Sequence, residues 1–127
     1  MNSLKLDRYN PHRQSMVIMG KTQTHKTSIA KVITKLIVDS GRKVIVYDPN
    51  RRWTEKRPHE IAFSPIHVVQ HTHEINLKKP ICIYQPIEDN ETNFESFCEK
   101  VTKLFDVGFF TVIMDELHNN VTTFRAA

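Results

Sequence analysis

The chain has 127 residues, 39% of them hydrophobic and 25% charged, which allows one domain with a core and excludes a disordered or fibrous protein. No apolar run approaches the roughly 18 residues of a membrane span, and the opening MNSLKLDRYNPHRQ lacks an apolar signal segment. Secretion and membrane insertion are excluded as first readings, and a cytoplasmic (or intracellular viral) setting is expected. The net charge of +4 favours contact with phosphates or acidic surfaces. Two cysteines, Cys82 and Cys98, with no C-x-x-C pair, suggest neither a disulfide framework nor a structural zinc site.

Residues 1–14 are polar and read as an amino-terminal arm, leaving 15–127 as the single domain. Ser15–Met19 (SMVIM) predicts a buried strand that ends in a sharp turn at Gly20. A helix follows from Thr27, with Ile29, Val32, Ile33, Leu36 and Ile37 on one apolar face and Gly41 as its carboxyl cap. Lys43–Tyr47 (KVIVY) predicts a second strand, closed by the turn formers Asp48, Pro49 and Asn50. Strand, helix and strand in so short a span imply a βαβ unit with parallel strands. Arg51–Glu60 reads as a charged loop around Trp53, and Ile66–Val69 and Ile81–Tyr84 as further short strands. The capping-box pattern Thr92-Asn93-Phe94-Glu95 opens a helix with Phe94, Phe97, Cys98, Val101, Leu104 and Phe105 on one face, ended by Gly108. Phe109–Met114 is the most apolar strand and runs directly into Asp115 and Glu116.

Two segments carry chemistry. The first is Gly20-Lys21-Thr22-Gln23-Thr24-His25-Lys26-Thr27, with Ser28 after it, between a buried strand and a helix. It follows the phosphate-loop pattern G-x-x-x-x-G-K-[ST], in which backbone N–H groups wrap phosphate oxygens at a helix amino terminus. Lys26 would reach the β and γ phosphates of ATP and the Thr27 hydroxyl would coordinate Mg²⁺. His25 departs from the pattern, since glycine at that place permits close backbone approach to phosphate. The second is the Walker B arrangement, an apolar strand ending in Asp115 and Glu116. Asp115 would hold Mg²⁺, directly or through water, and Glu116 would orient or deprotonate the attacking water.

With these motifs in order, and with VIVYDPNRRW, IYQP and the strand ending DELHN, the span Ser15–Asn119 resembles the P-loop ATPases of the FtsK and HerA superfamily, which includes DNA translocases and viral packaging ATPases. The resemblance implies an α/β, RecA-like fold with a mainly parallel sheet flanked by helices. It also implies ATP hydrolysis with Mg²⁺, DNA as partner and a homo-oligomeric ring. In that fold a sensor strand after Walker B lies between the phosphate-loop strand and the Walker B strand. Leu117–Ala127 is too short for a helix and that strand, so 15–127 is expected to be the front portion of a larger ATPase, natural or truncated, with an incomplete sheet and slow or absent turnover, or else the two strands pair directly. The alternative function is a degenerate nucleotide-binding or adaptor domain that does not turn ATP over.

Weaker signals stand beside these. Arg42, Lys43, Arg51, Arg52, Lys56 and Arg57 around Trp53 fit either a DNA-contacting loop or a solvated surface with one packed tryptophan. His67, His71 and His73 match no common metal-ligand spacing and read as a solvated loop. Cys82 and Cys98 read as small core residues. Nothing in the sequence positions Arg125 as an arginine finger.

Overall fold

In the computed structural model the described residues are 14–18, 26–55, 58, 60, 61, 63 and 65–114. They form an α/β architecture with two helices on opposite faces of a five-stranded sheet. The strands are β1 (Gln14–Ile18), β2 (Lys43–Tyr47), β3 (Ile66–Val69), β4 (Ile81–Tyr84) and β5 (Phe110–Met114). The helices are α1 (Lys26–Asp39) and α2 (Glu91–Leu104). The order across the sheet is β1-β5-β2-β4-β3, and every pairing is parallel.

β2 and β4 carry β-branched and aromatic residues buried on both faces, the composition that a parallel sheet covered on two sides requires. Side chains alternate between the faces. Ile45, Tyr47, Cys82, Tyr84, Phe110, Val112 and Met114 meet Phe94, Phe97, Val101 and Phe105 of α2 and its end. Val44, Val46, Ile81, Ile83 and Ile113 meet Ala30 of α1, together with Trp53 from the β2–β3 connection.

The connections obey one hand. The chain moves one way across the sheet from β1 through β2 to β3, by α1 and by the segment holding Trp53 and Phe63, all on the α1 face. It returns through β4 to β5 by the segment holding Ile75 and by α2, on the other face. Opposite directions on opposite faces give the same handedness, as parallel crossovers demand.

The helix ends differ in how well the sequence announces them. Gly41, at φ +92°, lets its N–H reach the Val38 carbonyl at 2.9 Å while Arg42 N–H reaches that of Ile37 at 3.2 Å, a Schellman closure of α1. The cap of α2 is Asn90, whose side chain accepts from Asn93 N–H at 2.8 Å, so Thr92 lies inside the helix rather than at its cap. Gln14 belongs to β1 and not to an arm, and Phe109 precedes β5.

The face of α1 is the main correction. Ile29, Val32 and Leu36, expected inside, are 54%, 48% and 66% exposed, whereas Thr27, Ala30, Lys31 and Thr34 are buried. The buried positions are small or locally satisfied. Thr34 Oγ1 donates back to the Ala30 carbonyl at 2.9 Å, and the Lys31 ammonium has a carboxylate partner in Glu60. Ala30 packs against the sheet with Ile37 and Val38 partly buried beside it, and periodicity cannot reveal a compensating acid almost thirty residues away.

Candidate functional site at the carboxyl edge of the sheet

Because all strands are parallel, their carboxyl ends share one edge, and the register makes them flush. Ile18 pairs with Met114, Met114 with Tyr47, Tyr47 with Tyr84, and Tyr84 with Val69. At roughly 4.8 Å per strand this row spans about 19 Å. Asp48, Gln85 and Asp115 are the next residues after Tyr47, Tyr84 and Met114. In open α/β sheets ligands bind outside this edge, at points where neighbouring strands send their connections to opposite faces. β2 leaves toward the α1 face and β4 toward the α2 face, so such a point lies between them.

Asp48 occupies that point. It is buried, and its carboxylate accepts from Arg52 N–H, Trp53 N–H and Gln85 Nε2, each at 2.9 Å. Gln85 Nε2 also lies 3.0 Å from Thr54 Oγ1. Arg51, at φ 56°, sits in the left-handed region and donates to the Pro86 carbonyl at 3.3 Å, linking the same two loops. The sequence marked Asp48 only as a turn former. The signal available was an acid directly after an apolar strand, the same signal that singled out Asp115.

At the start of α1, Lys26 is the first helical residue and Thr27 is buried in the first turn. Ser28 Oγ donates to Glu60 Oε2 at 2.6 Å, and Lys31 Nζ donates to Glu60 Oε1 at 2.8 Å. Sequence reasoning missed Glu60, which lies in no recognisable local pattern. Gly20, Lys21, Thr22, Gln23, Thr24, His25, Asp115, Glu116 and Arg125 lie outside the described residues.

The basic residues do not gather into one surface. Arg42 and Lys43 lie at the amino end of β2 and Arg51 and Arg52 beyond its carboxyl end, separated by about 17 Å of strand. Lys43 Nζ donates to the Leu77 carbonyl, and Arg42 Nε and Nη2 are buried without a hydrogen-bond partner. Arg52 Nε lies 3.7 Å from Glu55, and Lys56 and Arg57 lie outside the described residues. Trp53 is buried and stacks on Phe63 at 6.2 Å between centroids, so its ring is not offered to a base. His71 and His73 stack at 5.6 Å on the exposed β3–β4 connection, and no group of metal-ligating side chains occurs among the described residues. Cys82 is buried and Cys98 partly so, both thiols free.

No helix among the described residues is long and apolar enough to cross a membrane. No protein-family model matches the chain, and no curated protein or solved structure matches it significantly.

Proposed function

We propose that the chain binds ATP with Mg²⁺ at the carboxyl edge of its sheet and hydrolyses it as a P-loop ATPase of the FtsK and HerA type, within a DNA-translocating or DNA-packaging motor. The observation that carries this reading is the pairing of Ile18 with Met114. The strand that leads into Gly20–Thr27 and the strand that leads into Asp115-Glu116 end side by side, with the first turn of α1 starting at Lys26. A phosphate-binding segment and a metal-binding acid must leave the same edge of a parallel sheet, close together, to share one nucleotide.

The donor set suits a magnesium ion, a hard cation that takes oxygen ligands: the Thr27 hydroxyl and the Asp115 carboxylate. The metal would neutralise phosphate charge. Lys26 would hold the β and γ phosphates, and Glu116 would orient the attacking water and take its proton. Nucleotide-binding contacts would come from the stretch Gly20 to Ser28.

One observation favours a second reading, a nucleotide-binding domain that does not turn ATP over. β1 pairs with β5 along its whole length, so no sensor strand separates them as the RecA-like order has it. His25 points the same way. The two readings share binding and differ in turnover.

Binding is tested by calorimetry with Mg-ATP on the wild type and on Lys26→Ala. The wild type should bind, gaining about 2.7 kcal/mol of stability at a hundredfold excess over Kd, and Lys26→Ala should lose most of that affinity. An absence of binding by the wild type, or equal binding by Lys26→Ala, would overturn the phosphate-loop reading. Phosphate release with and without DNA then separates the motor from the silent binder.

A further inference from the structure

The most unusual buried polar group among the described residues is the Lys31–Glu60 pair, with side chains only 2% and 7% exposed. Both oxygens of the Glu60 carboxylate are engaged by α1, Oε1 by Lys31 at 2.8 Å and Oε2 by Ser28 at 2.6 Å. A buried ion pair is a weak source of stability, because an apolar pair of similar volume often does as well or better. Its geometry is better suited to registering one element against another.

Glu60 belongs to the β2–β3 connection, whose described residues are anchored both to the sheet and to α1. At the end of β2, Asp48 accepts the N–H groups of Arg52 and Trp53. At the start of α1, Glu60 takes the Ser28 and Lys31 donors. Trp53 and Phe63, either side of Glu60 in sequence, stack with ring planes 18° apart. The described residues of this connection, the strap, therefore tie the carboxyl end of β2 to the amino end of α1.

A serine hydroxyl has one proton to donate. Here that proton goes to Glu60. Phosphate oxygens of a bound nucleotide are acceptors, and the amino end of a helix attracts them. A phosphate that accepts from the Ser28 hydroxyl must therefore displace Glu60 as its acceptor, leaving Lys31 as the remaining α1 contact to that carboxylate described above. We propose that Glu60 is a positioning residue that transmits nucleotide occupancy at α1 to the Trp53–Phe63 strap. The inference rests on the nucleotide reading given under Proposed function. It adds to that reading a site of response outside both motifs.

Trp53 is the only tryptophan in the chain, so its emission reports on the strap alone. Mg-ATP is titrated into the full chain while heat and Trp53 emission are followed together. In the wild type, binding heat should be accompanied by a shift in emission. Glu60→Gln should bind with the shift lost. Because Glu60→Gln leaves Lys31 buried without its charge partner, the double variant Lys31→Met, Glu60→Met supplies a folded control, and it too should bind without the shift. Wild-type binding with no change in emission overturns the proposal, as does a full shift in either variant. Loss of binding in both folded variants would put Glu60 in the binding machinery and also overturn the positioning role. No binding heat in the wild type would instead remove the nucleotide reading, and the proposal with it.

Discussion

The side-chain amide of Gln85 donates to Oδ2 of Asp48 across 2.9 Å and so joins the carboxyl ends of β4 and β2. With two backbone N–H groups on the same carboxylate, Asp48 fixes the exit of the chain from β2.

Removing that carboxylate takes the acceptor from the Arg52 and Trp53 N–H groups and one of the two partners of Gln85 Nε2. Asp48→Ala should cost about 3 kcal/mol in urea unfolding, since hydrogen bonds to a charged group are worth about 1.5–3 kcal/mol each and the effects overlap. Trp53 emission should shift to the red as the loop loosens and water reaches the buried ring. A loss under about 1 kcal/mol would show that the network does not fix the loop.

The inverted face of α1 gives opposite expectations for neighbouring positions. Leu36→Gln, at a side chain 66% exposed, should change stability by no more than about 0.5 kcal/mol. Ala30→Leu, at a fully buried position against Val44 and Val46, should cost about 1–3 kcal/mol by overpacking. If the helix instead buried its more apolar face, the order of the two costs would reverse. Thermal unfolding of both variants decides.

Most of the sheet was legible because strand signals are local. KVIVY and ICIY are β-branched runs bounded by turn formers, and they are β2 and β4 to the residue. The inward face of α2 was legible for the same reason, with Phe94, Phe97 and Val101 buried as their spacing requires. What escaped depends on partners distant in sequence. Lys31 is buried where Glu60 meets it, Ala30 packs against the sheet, Thr34 satisfies its hydroxyl on the Ala30 carbonyl, and the Asp48 carboxylate is tied to Gln85. The grouping of Arg42 with Arg51 failed because a strand intervenes and sends them to opposite edges. For the site, sequence supplied the two motifs, and the structure supplied the adjacency of their strands and the two acids, Asp48 and Glu60, that brace the loops beside them.

Alkaline pH should weaken the fold. Burial pushes the Cys98 thiol up from 9.0 to about 12, with the nearby Glu95 adding to it, and burial pushes Tyr84 up from 10.0 to about 12. Tyr47 is raised by burial and then by Asp89, to which its hydroxyl donates at 3.3 Å, and Cys82 is raised by burial against an opposing backbone hydrogen bond from Asn76. Above the unfolded values the unfolded chain gives up these protons while the folded chain keeps them. The folded state then binds more protons, so stability falls as pH rises. The thermal midpoint should be flat from pH 7 to about 9 and decline from there toward 12. Cys98→Ala should make the decline shallower, and neither thiol should react readily with a thiol reagent at pH 8 in the folded chain.

Within the proposed site the two acids after β5 should separate by phenotype. Glu116→Gln should keep Mg-ATP binding and remove whatever turnover exists, because it removes a proton acceptor. Asp115→Ala should weaken the Mg²⁺-dependent part of binding, because it removes an oxygen from the metal's surroundings. Phosphate release by the 127-residue chain should be very slow. Brisk turnover that depends on Glu116 would contradict the reading drawn from the direct β1–β5 pairing, and slow turnover unchanged in Glu116→Gln would remove Glu116 from its role.

The pairing of β1 with β5 also sets when the edge they share can come into being. Gln14 and Phe110 are register partners separated by roughly a hundred residues of chain, the longest loop closure among the described strand pairs. A ribosome must release nearly all of that chain before the contact can form, by which time β2, β3 and β4 can already have paired. Both seams made by β5, with β1 and with β2, wait for residues 110–114, and the β1 seam closes the longer loop. A mutation that weakens this seam should then leave a chain with most of its secondary structure and without the proposed nucleotide site, a species that far-ultraviolet dichroism would pass as native.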